Sequence, residues 1–300
     1  MSQAVSEEHR LRIGAHELAV ALDGPPDGEP LLLIMGLGLQ LTSWPPELVQ
    51  GLADAGYRVI RYDHRDIGLS TPFDHLGPPR LAAAFWRHAL HLPLQAPYEL
   101  ADLADDAAAL LRGLGLPAAQ VVGISMGGMV AQHLARRHPD RVRGLNLWMS
   151  SPGGRDLPRP RADVMRLFLT RPGQHEQQAY GERFFRTIGS PAYPPDSARL
   201  RERVALNLAR SFRPQATARQ MIAIAADGDR RPWLRELQRP VQVLHGLADP
   251  LLPVAHGRAL ARALPQAELL ELPGWGHDLP AALVPELVRS VQRGAARTRP

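Results

Sequence analysis

Val121-Val122-Gly123-Ile124-Ser125-Met126-Gly127-Gly128 is the stretch that decides the fold. A β-branched run ends in Gly-x-Ser-x-Gly, and Met129-Val130-Ala131-Gln132-His133-Leu134-Ala135 then reads as a helix. Strand, sharp turn and helix in that order form the setting in which a serine becomes a nucleophile. Side chains flanking so tight a turn would clash, which is why Gly123 and Gly127 are needed. The turn lifts the Ser125 hydroxyl clear of the backbone. It also leaves the Met126 amide, at the start of the helix, without an intrahelical acceptor and aimed at any anion forming beside Ser125.

A serine hydroxyl needs a base, and the base needs a third group to orient it. After an elbow of this kind the acid comes next and the histidine last, each on a loop after a later strand. Val241-Gln242-Val243-Leu244-His245-Gly246 reads as a strand running into Leu247-Ala248-Asp249-Pro250. Ala267 to Leu272 alternates toward Pro273-Gly274-Trp275-Gly276-His277. Asp249 and His277 therefore stand where the two partners belong. The competing readings are a helix cap for Asp249, ahead of a helix near Val254 to Leu264, and ordinary packing for His277.

The second oxyanion donor is expected after the strand Pro30-Leu31-Leu32-Leu33-Ile34, in Met35-Gly36-Leu37-Gly38. A backbone amide is what the chemistry requires, so the donor is assigned to Leu37, paired with Met126. Losing one such donor costs about 10²–10³ in rate. Trp44, Trp148, Met149, Leu251, Trp275 and Leu279 fall on loops or strand ends facing this site, as candidates for an apolar acyl or alcohol pocket.

Strands and helices alternate through the rest of the chain, implying a mostly parallel, eight-stranded sheet covered on both faces. Residues 10–23 read as an opening hairpin, Tyr57 to Asp63 as a strand and Tyr98 to Leu114 as an amphipathic helix with Asp102, Asp105 and Asp106 as solvated charges. Arg141 to Met149 reads as the strand after the elbow helix, and Val284 to Arg293 as the closing helix. Between them the pattern changes. Residues 152–239 are rich in Arg and Pro and carry no evident buried strand, so they are expected to form a helical cap inserted into a core of 1–151 and 240–300. Arg80 to Leu94, with Phe85 and Trp86, exceeds a plain connection and reads as part of a lid or as a flanking helix.

Asp63-His64-Arg65-Asp66-Ile67-Gly68-Leu69-Ser70, the Ser125 elbow, the Asp249 loop and Pro273-Gly274-Trp275-Gly276-His277 together resemble the α/β-hydrolases. More narrowly, Leu31 to Gly36, Tyr62 to Ser70, and Asp249-Pro250 followed by His256-Gly257 resemble aclacinomycin methylesterase-like bacterial serine esterases. The similarity runs from about Leu31 to Leu283 and is weak through 79–97 and the cap. It implies hydrolysis of a carboxylic ester by Ser125, His277 and Asp249 without metal or cofactor. The departures fall where the substrate is shaped, so its identity does not carry over. The same triad is compatible with carbon–carbon bond hydrolysis and with cofactor-free perhydrolase or haloperoxidase chemistry. A pocket without turnover would make a ligand receptor.

Three hundred residues suit one such domain with its insertion. The chain has no cysteine, which excludes disulfides, zinc–thiolate sites and a cysteine nucleophile. Met1 to Glu8 lacks the apolar core of a secretory signal, and no run approaches the ~18 apolar residues of a membrane span, so a cytoplasmic location is expected. All 35 basic residues are Arg, yet the net charge is only +5. In the cap, Arg is interleaved with Asp156, Asp163, Glu176, Glu182, Asp196 and Glu202, which reads as a solvated surface. The tail from Arg293 to Pro300 reads as a short frayed end. No nucleic-acid recognition motif is present. His88 and His91 can share a helix face but have no third metal ligand, and His245 reads as turn packing. The expected partner is a small-molecule ester; a homo-oligomer is compatible with the sequence.

Overall fold

Leu31-Leu32-Leu33-Ile34 has no polar alternation because both faces of its strand are covered. The computed structural model describes residues 7–170 and 172–298. The chain runs through β1 (Glu8–Ile13), β2 (His16–Asp23), β3 (Glu29–Ile34), α1 (Pro46–Asp54), β4 (Tyr57–Tyr62), α2 (Leu81–Ala89) and α3 (Leu100–Gly113). It continues through β5 (Ala119–Ile124), α4 (Met126–Arg137) and β6 (Val142–Trp148) into helices α5 (Ala162–Leu169), α6 (Gln177–Ile188), α7 (Ser197–Arg210), α8 (Pro214–Asp227) and α9 (Arg231–Leu234). It closes with β7 (Val241–Gly246), α10 (Ala255–Ala263), β8 (Ala267–Leu272) and α11 (Val284–Ala296).

The strands form one sheet in the order β1-β2-β4-β3-β5-β6-β7-β8. From β4 to β8 the pairing is parallel; β2 is antiparallel to both β1 and β4. Alternate side chains of β3 go to opposite layers. Leu32 and Ile34 join Ile60 and Val121 under Leu103, Leu134 and Leu260 of α3, α4 and α10. Leu31 and Leu33 join Val59 and Val122 under Leu48 and Leu52 of α1 and Leu287 and Val291 of α11. Each fully buried Leu or Val contributes about 1.5–3 kcal/mol. These two layers fix the sheet, and with it the positions of the loops at the strands' C-terminal ends.

Four expectations change. Asp106 is not solvated: it is buried beneath Arg65 at 2.5 Å and His16 at 3.0 Å. The basic tail is not frayed over the residues described. Val284–Ala296 is a single helix with Ala295 buried, the Arg297 guanidinium donates to Gln266 O at 2.8 Å, and Gln120 Nε2 donates to the Thr298 hydroxyl at 2.8 Å. Arg299-Pro300, like Met1 to Ser6 of the N-terminal stretch, lies outside the described residues. Within 152–239, Arg219 and Arg230 are buried rather than solvated, the first paired with Asp66 and the second with Asp227. The helix expected from Tyr98 begins at Leu100, where Asp102 Oδ2 accepts the Glu99 amide at 2.7 Å and caps it.

Residues 152–239 lie between β6 and β7 and hold α5–α9 and no strand among those described. The Arg80 to Leu94 segment contains α2, which packs on α8 but leaves Phe85 59% and Trp86 62% exposed. No helix among the described residues is long and apolar enough to cross a membrane.

Candidate active site

β5 ends at Ile124, and Ser125 adopts φ 53°, ψ −120° before α4 begins at Met126. A non-glycine residue at positive φ is strained and persists only where its surroundings dictate it. Here the Ser125 amide donates to Trp148 O at 3.0 Å, and its carbonyl accepts from the Gly128 amide at 3.0 Å and the Ser150 hydroxyl at 2.8 Å. A Cβ on Gly123 would stand 2.4 Å from Gly127 O, and one on Gly127 would stand 2.1 Å from Ile34 O. The elbow is thus pressed against the end of β3, and its glycines are steric necessities.

The loops after β5, β6, β7 and β8 are laced together at the same edge of the sheet. Ser125 N donates to Trp148 O at 3.0 Å, Met149 N to Leu244 O at 2.8 Å and Ala248 N to Trp275 O at 3.0 Å. The backbone therefore holds Ser125, Asp249 and His277 on neighbouring loops. His277 Nδ1 and Asp249 Oδ2 are 2.7 Å apart. Asp249 Oδ1 accepts the amides of Leu251 and Leu252, each at 2.8 Å. This carboxylate does not cap the following helix, whose N-cap is Val254.

Burial by itself would raise the Asp249 carboxyl. The charge His277 carries when protonated, and hydrogen bonds from His245 and His277, outweigh burial and hold it far below its ordinary value of 3.8. An ionised carboxylate only accepts, so His277 Nδ1 is the donor in this contact. This contact fixes the orientation of the imidazole ring.

On the other side, Met35 to Leu39 forms a tight turn. Leu39 N donates to Gly36 O at 3.3 Å, with Gly38 at φ 68°, a conformation that favours glycine. In a trans peptide N–H and C=O point oppositely, so the Leu37 amide turns away from the Gly36 carbonyl bond. A Cβ on Gly36 would stand 3.4 Å from Ser125 Cβ, so this turn lies against the serine. Neither the Leu37 nor the Met126 amide donates to another group among the described residues.

Of the six apolar candidates, Trp44, Trp148, Met149 and Trp275 are buried in one cluster beneath the loops, with Leu279 packed against it. Leu251 is half-buried and belongs to neither large cluster. Several supporting residues carry no local signature in the sequence. Ile188 O accepts the His277 amide at 2.7 Å, and Ser190 donates to Asp278 while accepting the Gly276 amide at 2.9 Å. His245, expected only to pack a turn, also approaches Asp249 Oδ2 at 3.5 Å and contacts Leu252 O at 2.7 Å. Its spacing of four from Asp249 was the available signal.

The comparisons with known proteins agree with this architecture. The chain is 32% identical over 291 residues to rhodomycin D methylesterase DnrP of Streptomyces peucetius, covering 89% of this chain and 91% of that one. It is 34% identical over 207 residues to the pimeloyl-[acyl-carrier protein] methyl ester esterase of Chromobacterium violaceum, covering 66% of this chain and 79% of that one. The enol-lactonase of Burkholderia xenovorans LB400 superposes with TM-score 0.69 at 23% identity, covering 95% and 97% of the two chains, a likeness of fold. The family described as alpha/beta hydrolase fold matches residues 29–280. This chain belongs to the α/β-hydrolase family.

Proposed function

We propose that the protein is a carboxylic ester hydrolase acting through an acyl-enzyme on Ser125. The observation that carries this is the 2.7 Å contact of His277 Nδ1 with the buried Asp249 carboxylate, on loops laced to that of a strained Ser125. Similarity to two methyl ester hydrolases supports an ester as the substrate class.

Ser125 Oγ attacks the ester carbonyl while His277 Nε2 takes its proton and Asp249 stabilises the imidazolium. The Leu37 and Met126 amides receive the tetrahedral oxyanion. His277 returns the proton to the departing alcohol, leaving Ser125 acylated. Water then attacks the acyl carbonyl, its proton passing through His277 back to Ser125 as the acid leaves. Residues 152–239 act as the cap of this site, because their 188–190 segment bonds the His277 loop and α8 reaches the Leu37 turn. The substrate is a small or medium, largely apolar ester, with the half-buried Leu251 and Leu279 as the accessible members of the apolar candidate set and Trp44, Trp148, Met149 and Trp275 packed behind them.

Hydrolysis of p-nitrophenyl acetate, butyrate and octanoate by wild type and Ser125→Ala tests the reading. Turnover in wild type and its loss in the variant are expected. Equal turnover in both would refute Ser125 as the nucleophile, and the absence of turnover in either would redirect attention to carbon–carbon cleavage or ligand binding.

A further inference from the structure

Gln220, on α8, is wholly buried. Its Oε1 accepts the Gly38 amide at 2.8 Å, bridging 182 positions of sequence. Its Nε2 is buried too and has no hydrogen-bond partner among the described residues. The amide orientation is unambiguous, because the Gly38 N–H requires an acceptor. A buried donor without a partner costs free energy, and an apolar side chain of similar size would avoid that cost. Internal stability alone therefore does not account for a glutamine here. What its carboxamide does is hold Gly38.

Gly38 follows Leu37 in the turn that lies against Ser125, and the Leu37 amide has no acceptor among the described residues. Each neighbouring point of that segment is also tethered: Met35 O lies 3.0 Å from His64 Nε2, and the Leu41 amide donates to Asp63 at 2.7 Å. Gln220 supplies the tether in between, and it alone among these three comes from the inserted helices. α8 is itself immobilised. Arg219, the preceding residue, forms a two-pronged bond with Asp66 at 2.6 and 3.0 Å and donates to Gly77 O at 2.9 Å. Thr217, one turn earlier, packs on Gly38 so closely that a Cβ there would fall 2.7 Å from its hydroxyl.

We infer that Gln220 is a positioning residue for the oxyanion turn: its carboxamide fixes the peptide after Leu37 and so aims the Leu37 N–H at the developing oxyanion. This rests on the esterase reading above. An interaction that matters where negative charge develops affects the transition state more than the bound substrate. Removing it lowers kcat and leaves KM nearly unchanged.

The experiment compares wild type with Gln220→Leu and Gln220→Met for kcat, KM, thermal midpoint and affinity for phenylboronic acid, which forms a tetrahedral anionic adduct with an active serine. Ile222→Val, a buried position of the same helix, serves as a packing control, and Ser125→Ala shows that the adduct is on Ser125. In both Gln220 variants kcat and boronate affinity are expected to fall together by about 10- to 100-fold. KM should stay within about threefold, the midpoint should hold within a few degrees, and Ile222→Val should resemble wild type. An unchanged kcat overturns the inference. So does a loss of activity in both variants that tracks a lowered midpoint, which would make Gln220 a purely structural residue. A wild type that forms no Ser125-dependent adduct overturns the esterase reading itself, and the role of Gln220 with it.

Discussion

At the scale of single residues, the site rests on a buried charge that the fold keeps ionised. Asp249 uses one oxygen for two backbone amides and the other for His277, so its acceptor capacity is directed at groups with fixed positions. Its carboxyl is depressed in the folded chain, so the sign of its contribution follows. The stabilisation is complete above the ordinary value of 3.8 and is lost as pH falls below it toward the folded value. Asp249→Asn keeps the shape but removes the charge and the preference for one imidazole tautomer. We expect turnover to fall by about 10⁴-fold. The stability gap between wild type and variant should be full at pH 7 and shrink below about pH 4. Chemical denaturation at several pH values measures it. A gap that grows on acidification would show that the carboxylate is not held ionised by the fold.

At the scale of elements, the inserted helices are attached through buried ionic contacts as well as apolar ones. Arg219 of α8 and Asp66 are both essentially inaccessible to solvent, and Asp66 also accepts the Phe73 amide at 3.0 Å. Arg219→Met strands the Asp66 carboxylate in a closed environment, which costs about 3–5 kcal/mol. Arg289→Met, removing an exposed pair with Glu286 on α11, should cost about 0–1 kcal/mol. Urea unfolding of the two variants side by side tests this, and equal costs would mean that the α8 pair is solvated.

The same elements show what could be read in advance. The elbow, the two partner loops and the β3 turn were legible because backbone sterics demand particular residues at short spacings, as at Gly123 and Gly127. Asp106 was not, since nothing near it in sequence announces Arg65 41 positions away. Arg219 and Arg230 looked like members of a wet, mixed-charge face, because composition does not register which of many arginines finds a buried carboxylate. Gln220 was invisible for the same reason. Its partner is 182 positions distant, and one glutamine in a helix has no pattern.

At the scale of the molecule, the parallel sheet gathers at one edge the loops that carry Ser125, Asp249 and His277, while helices on both faces hold its strands in register. Ligand sites in open α/β sheets form at that edge because the strands all deliver their exit loops there. The strand order β5-β6-β7-β8 therefore brings the exit loops that carry Ser125, Asp249 and His277 to one stretch of that edge. The helices between β6 and β7 are bonded to the His277 loop on one side and to the Leu37 turn on the other. Their pattern of Arg and Pro left the number and ends of those helices open, because amphipathic helices packed partly on one another share no single apolar period.

The most direct test of the central claim is covalent. Wild-type protein is treated with a fluorophosphonate ester, and the modified residue is located by peptide mass spectrometry. The account predicts a single adduct on Ser125, forming in step with loss of ester hydrolysis, with no adduct in Ser125→Ala. Ester hydrolysis that persists in a chain fully modified at Ser125, or an inactivating adduct on another residue, would contradict it.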